Sequence, residues 1–299
     1  MLLHRVITAL ILAPLILWGV VNLSYQNFSM IWALIIAICA WEWSDLSGVK
    51  SIIGRLAFVL VVMAGLMPFL YATEIIQAIA SYVQETWDDN DVKVSILKMS
   101  QAVDWFGVPA VVFWLGAAVV IKKRESDLLK AAPSRRMRLL TGWFLLVTAW
   151  VFFYRLRVHH GTDTVIILLL LIWAADIAAY FVGKAFGKEK LSPHISPGKT
   201  VAGMFGALGA AVVIGLIVGS YNDFYSTARL DFILLSLVTV HLSIYGDLGV
   251  SLAKRWRGVK DSGKLLPGHG GALDRLDSLI AATPVFYTGI VLMYFGIPK

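Results

Sequence analysis

The chain has 299 residues, of which 59% are hydrophobic, and a mean hydropathy of +0.77. That lies well above the ~45–50% apolar share of ordinary soluble domains, which excludes a soluble globular fold and identifies a polytopic membrane protein. The net charge of +7 reads as a basic excess in cytoplasmic loops rather than as a nucleic-acid surface, and the single cysteine, Cys39, excludes an intrachain disulfide and reads as a small buried hydrophobe.

The opening stretch MLLHRVITALILAPLILWGVV resembles a signal peptide in its Arg5 and apolar core. Leu23 to Asn27 offers no small-residue cleavage site and a second apolar run follows at once, so an uncleaved first span is expected. Apolar runs then read as spans near 6–22, 28–44, 52–72, 105–121, 139–154, 164–182, 201–219, 232–252 and 279–296, which predicts an all-α helix bundle of about nine transmembrane helices. With the N-terminus cytoplasmic, 20 of the 26 Lys and Arg fall on one side, and the acidic loop 73–104 falls on the other. The segment 74–100 is expected to form an interfacial amphipathic helix.

No linker or repeat divides residues 1–299, so one membrane domain is expected: residues 1–160 as scaffold and oligomer contact, 161–299 as the part that carries chemistry. In the first part Trp41-Glu42-Trp43 and Asp45 close the second span and read as an interfacial belt with snorkelling charge, with a part in the site as the alternative. Lys122-Lys123-Arg124 and Arg135-Arg136 read as topology determinants that touch anionic headgroups. His159-His160 have only Asp163 nearby and read as loop histidines rather than a metal site.

From Trp173 the chain changes character. Asp176 falls inside an apolar run, where an ionisable side chain is costly and by default functional. Gly183, Gly187, Gly198 and Gly203 alternate with Lys184, Lys188, Lys190 and Lys199; glycine lets backbone approach a phosphate and lysine supplies a point charge. Ser196-Pro197-Gly198-Lys199-Thr200 lacks the earlier glycine of a P-loop and leads into a span, so that reading is rejected. As a turn at a helix N-terminus it still offers donors and a cation to an anion.

The densest stretch is GDLGVSLAKRWRGVKDSGKLLPGHGGALDRLD, residues 246–277. Asp247 ends an apolar run, and a continuing helix puts Ser251 and Lys254 on its stripe at i+4 and i+7. Five bases follow, then a glycine-rich turn, then Asp274 and Asp277, which share one face if they open a helix. Carboxylates grouped among cations suit Mg²⁺ held together with phosphates, which points to phosphoryl or nucleotidyl transfer.

Ser251, Lys254-Arg255, Lys260-Asp261, Gly263, Pro267, His269-Gly270-Gly271, Asp274-Arg275 and Asp277 resemble, in register, the signature of the phosphatidate cytidylyltransferases. The block WAADIAAYFVGKAFGKEKLSPHISPGKT is similar to a second block of that family, and together the two cover about the C-terminal two fifths of the chain. There are departures. Ala253 and Ala272 stand where larger aliphatic residues are usual, Val250 where many members have Glu, and Val201-Ala202 where many have Trp-Glu. If the missing acids support a cation, this chain needs more Mg²⁺ than relatives that keep them, and Val250→Glu lowers the requirement.

The resemblance implies transfer of cytidylyl from CTP to phosphatidate, giving CDP-diacylglycerol and pyrophosphate, in a multi-pass protein of the inner (cytoplasmic) membrane with its site facing the cytoplasm. It implies Asp247, Lys254, Arg255 and Asp274 as the catalytic set, with Asp247, Asp274 and Asp277 at Mg²⁺. Lys254, Arg255, Lys260 and Arg275 are expected to hold phosphates, Asp261 to orient one of these cations, and Ser196, Lys199 and Ser251 to bind substrate. His269 is expected to bind phosphate or shape its turn. The partners expected are CTP, phosphatidate, membrane lipid and a second copy of the chain, with no nucleic acid. Two other readings compete: a CTP-dependent lipid kinase or a cytidylyltransferase for another lipid phosphate, and, in a different class, a membrane transporter.

Overall fold

The computed structural model describes residues 2–87, 102–265 and 270–296. Its helices are α1 (Leu2–Asn22), α2 (Tyr25–Leu46), α3 (Ile52–Trp87), α4 (Gly107–Lys130), α5 (Arg135–Phe186), α6 (Val201–Tyr221), α7 (Ser226–Arg257) and α8 (Leu273–Gly296), with a short 3₁₀ turn at Ala102–Phe106 ahead of α4. Each apolar run read from the sequence lies on one of them. Seven are long and apolar enough to cross a membrane, and α1 contributes the shorter apolar stretch Ile11–Asn22. The expected interfacial helix at 74–100 begins instead as a continuation of α3 to Trp87, and its remainder lies outside the described residues.

Local chemistry sets the helix ends. Ser24, Ser134 and Thr200 accept hydrogen bonds from the backbone N–H three residues on, capping α2, α5 and α6. Gly258 adopts φ 73°, ψ 25° and closes α7 in the left-handed geometry that glycine takes without a Cβ clash. Helix α5 spans 52 residues, roughly 78 Å at 1.5 Å per residue, more than twice a ~30 Å hydrocarbon core. It is broken at Gly161 (φ 83°, ψ −178°), so the segment comprises two helical stretches joined end to end.

Helices α5 to α8 form the centre: α5 packs on α6 and α8, and α7 on α6 and α8. Around them α2 lies against α5 and α3, and α4 against α7 and α8. Trp114, Trp150, Phe152 and Phe286 are fully buried, whereas Met30, Leu60, Phe205 and Ile217 face outward, giving the apolar exterior that a bilayer covers. Among the described residues the only sheet is an antiparallel ribbon of β1 (Lys190–Ser192) and β2 (Ser196–Thr200), with Lys190 opposite Thr200.

Hydrogen bonds gather several connections at one end of the bundle. Trp43 Nε1 donates to Arg138 O (2.8 Å), Trp256 Nε1 to Leu128 O (2.7 Å) and Arg257 Nε to Asp45 O (3.0 Å). Elsewhere, Arg155 forms an ion pair with Asp104 at 2.7 Å, and Tyr287 Oη donates to the same carboxylate at 2.5 Å. The expected interfacial belt at Trp41–Trp43 is corrected here: Glu42 and Trp43 are only 5% and 4% exposed, because α2 turns that face inward.

Candidate active site

The expected stripe on α7 is present. Ser251 Oγ donates to Asp247 Oδ1 (3.2 Å), and one turn later Lys254 reaches across to α8, where its Nζ lies 2.7 Å from Asp274 Oδ1. From the start of α6 the ribbon brings in Lys199, whose Nζ sits 2.7 Å from Asp247 Oδ2 and also donates to Ile244 O (3.2 Å). The ribbon and the start of α8 therefore converge on α7. The Lys199–Asp247 pair is about a quarter exposed (24% and 28%), whereas Lys254 and Asp274 retain 10% and 7%. An incoming anion meets the first pair before the second.

Asp274 has both oxygens engaged. Besides Lys254, it accepts from Ser262 N (2.8 Å), Ser262 Oγ (3.0 Å) and Gly271 N (3.0 Å) through Oδ2. Asp277, one turn along α8, accepts from Ser278 N and lies within electrostatic reach of Asp247, Lys199 and Lys254. This is possible because α7 and α8 meet closely at Gly246, where a Cβ would stand 2.6 Å from Asp277 O. Asp176 on α5 interacts with Lys199, Asp247 and Arg275, so the intramembrane acid singled out in the sequence joins this cluster.

The remaining expected residues sit around its rim. Arg255 donates to Ile195 O (3.0 Å) and Val259 O (3.4 Å), tying the ribbon to the end of α7 rather than facing the carboxylates. Ser196 opens β2 half-buried, Lys260 and Asp261 are exposed on the following loop, and Arg275 is exposed on the first turn of α8. His269 lies outside the described residues. Three of the four glycines read as phosphate-facing have another use: Gly183, Gly187 and Gly203 pack against Thr200 where α5 meets α6, and only Gly198 stands open. Lys184 lies over the Tyr180 ring at 5.9 Å.

Among the described residues no group of three or more His, Cys, Asp or Glu is placed to hold a metal ion. Mg²⁺ commonly takes only one or two carboxylates and completes its shell with water and substrate phosphates. Asp247 and Asp277 have that donor chemistry; the oxygens of Asp247 meet Ser251 and the partly exposed Lys199, whereas Asp274 is held by the buried Lys254 and by the loop. Val250, where an added acid was expected to support the cation, is fully buried in the apolar core.

Two residues carry more of the site than expected: Glu42, read chiefly as belt with a part in the site as the alternative, and Glu125, for which no role was expected. Glu42 accepts from Ser262 Oγ, Ala272 N and Leu273 N, and Glu125 from Ser192 Oγ, His194 N and Ile195 N. The signal for Glu42 was available, since an acid between two tryptophans at the end of an apolar run obeys the same rule that singled out Asp176. Glu125 had no such signal, because it lies in a charged stretch.

Fold and site together define a polytopic membrane protein whose buried ion pairs and open cation–carboxylate pair suit phosphate chemistry. The chain belongs to the cytidylyltransferase family, whose model matches residues 3–293. It is 35% identical over its full length to the phosphatidate cytidylyltransferase of Pseudomonas aeruginosa, covering all of that protein. It is 33% identical to the Haemophilus influenzae protein of that name, over 96% of this chain and 97% of the relative. The Bacillus subtilis protein of that name matches at 43% identity over 132 residues, 43% of this chain and 48% of the relative.

Proposed function

We propose that the protein transfers cytidylyl from CTP to phosphatidate, releasing pyrophosphate and leaving CDP-diacylglycerol in the membrane. The observation that carries this reading is the convergence of Lys199, Asp247, Lys254 and Asp274 in a chain that aligns end to end with a phosphatidate cytidylyltransferase. A phosphate monoester, with a second pKa near ~6, is already largely an oxyanion at pH 7 and needs no strong base. Its oxygen attacks the α-phosphorus of CTP, a new P–O bond forms, the bond from the α-phosphorus to the bridging oxygen breaks, and pyrophosphate departs with that electron pair.

Catalysis then rests on positioning and charge neutralisation. Lys199, at the mouth, exchanges Asp247 for a substrate phosphate; Ser196 supplies a neighbouring hydroxyl. Lys254 stays bound to Asp274 and lends positive potential to the phosphates, while Arg255, Lys260 and Arg275 line the approach, with Asp261 beside them. Ser251 fixes the rotamer of Asp247. Asp247 and Asp277 would hold Mg²⁺, which when bound would supply positive charge against the triphosphate.

Nine crossings follow if α1 spans and α5 crosses twice about Gly161. With those crossings the N-terminus falls on the same side as the base-rich loops and the site, and the excess of Lys and Arg makes that side cytoplasmic, where soluble CTP and a lipid headgroup both have access. A second copy of the chain is a further proposed partner.

The test uses purified protein in detergent with phosphatidate, Mg²⁺ and CTP labelled at either the α- or the γ-phosphate. Label from the α-phosphate in the lipid, with pyrophosphate formed, is the expected result. Label from the γ-phosphate with CDP formed identifies a lipid kinase instead, and no lipid label from either position sinks both.

A further inference from the structure

Two carboxylates from the part of the chain before residue 160 hold the two loops of the site, and they do so in the same way. Glu42 of α2 is 5% exposed and accepts from Ser262 Oγ (2.8 Å), Ala272 N (3.0 Å) and Leu273 N (2.9 Å). Glu125 of α4 accepts from Ser192 Oγ (2.7 Å), His194 N (2.7 Å) and Ile195 N (2.8 Å). Each takes two consecutive backbone N–H groups and one serine hydroxyl. Hydrogen bonds to an ionised acceptor are roughly twice as strong as neutral ones, and two adjacent N–H groups on one carboxylate fix the orientation of successive peptide planes.

What each loop carries gives the anchors their meaning. The groups beside Glu42 are those that position Asp274: Ser262 donates to both carboxylates, and Gly271 N, adjacent to Ala272, donates to Asp274 Oδ2. The loop is also shaped to this acid, because a Cβ at Gly263 or Gly271 would collide with the Glu42 carboxylate. Glu125 holds the turn of the ribbon whose second strand presents Ser196 and Lys199, and Arg255 grips the same turn through Ile195 O.

We propose that Glu42 and Glu125 are positioning residues for the transfer reaction. Glu42 orients Asp274 and its partner Lys254, and Glu125 sets the ribbon that offers Ser196 and Lys199 to the phosphates of CTP. The first part of the chain is thereby a component of the site rather than only a scaffold. This rests on the site reading given under Proposed function, and the experiment separates the two.

Full-length Glu42→Gln and Glu125→Gln keep side-chain size and remove the carboxylate charge; at Glu42, where both oxygens accept, one acceptor becomes a donor, whereas at Glu125 the three bonds to Oε1 lose the charge that strengthens them. Steady-state kinetics with CTP and phosphatidate should show a loss in kcat of about 10- to 100-fold for Glu42→Gln with KM for CTP within about threefold, the range seen when groups that orient a catalytic ligand are removed. For Glu125→Gln the pattern should invert: KM for CTP rises about tenfold and kcat stays within about threefold. Ser262→Ala and Ser192→Ala each remove one bond from the same anchors, should shift the same parameters more weakly, and serve if the glutamine variants do not fold. Folded variants with normal kcat and KM, or losses matching the lost folded fraction, overturn the proposal. Lys199→Ala and Asp274→Asn run alongside. If they stay active, the site reading fails; if they are inactive while all four anchor variants are kinetically normal, only the positioning proposal fails.

Discussion

Lys254 Nζ lies 2.7 Å from Asp274 Oδ1, both side chains are at most a tenth exposed, and the pair joins the last turns of α7 to the first turn of α8. Removing one member of such a pair leaves the other charge enclosed without its partner, which costs about 3–5 kcal/mol. Lys254→Ala is therefore expected to lower the unfolding midpoint in detergent and to abolish transfer in whatever remains folded. Thermal unfolding measured beside initial rates checks this, and wild-type values for both would remove the pair from the site.

The two kinds of carboxylate should differ in their metal response. Asp247→Asn or Asp277→Asn should reduce the rate about 100-fold or more, the scale of removing one electrostatic contact to developing charge, and should raise the Mg²⁺ concentration for half-maximal rate. Asp274→Asn should also lose activity, with no recovery on adding Mg²⁺, because its oxygens serve Lys254 and the loop. A Mg²⁺ titration of the three variants decides, and recovery of Asp274→Asn at high Mg²⁺ would return that residue to the metal.

Val250 is fully buried in the apolar core. An unpaired carboxylate there costs several kcal/mol, so Val250→Glu should reduce the yield of folded protein and leave the Mg²⁺ requirement of the folded fraction unchanged. A lower requirement would instead mean that the added acid reaches the cation.

Cysteine labelling tests orientation against a quiet background, since Cys39 is buried. Lys130 and Lys260 are exposed. In sealed right-side-out vesicles, Lys130→Cys and Lys260→Cys should resist an impermeant reagent until the membrane is opened. Labelling of either in intact vesicles would overturn the proposed cytoplasmic face.

The Asp104–Arg155–Tyr287 network makes a control away from the site. Arg155 is 3% exposed, so Arg155→Ala should destabilise by about 3–5 kcal/mol while leaving the KM for CTP of the folded fraction unchanged. A changed KM would tie that network to the chemistry.

The sequence by itself determined the helices and the local spacing of residues within the candidate site. Apolar runs of membrane length must satisfy their backbone internally, so composition alone placed an all-α bundle, and the i, i+4, i+7 spacing of Asp247, Ser251 and Lys254 put them on one stripe because helix geometry is local. Helix packing, by contrast, was decided only by tertiary structure. Gly183 and Gly203 could be read equally as phosphate contacts or as close helix contacts, and the meeting of α5 with α6 settled it. The split between Asp274, tied to Lys254, and Asp277, whose backbone closes on Gly246, depends on how α8 meets α7. Glu42 and Glu125 find their partners 220 and 67 residues away, separations over which no periodicity in the chain carries information, so only the folded arrangement makes them part of the site.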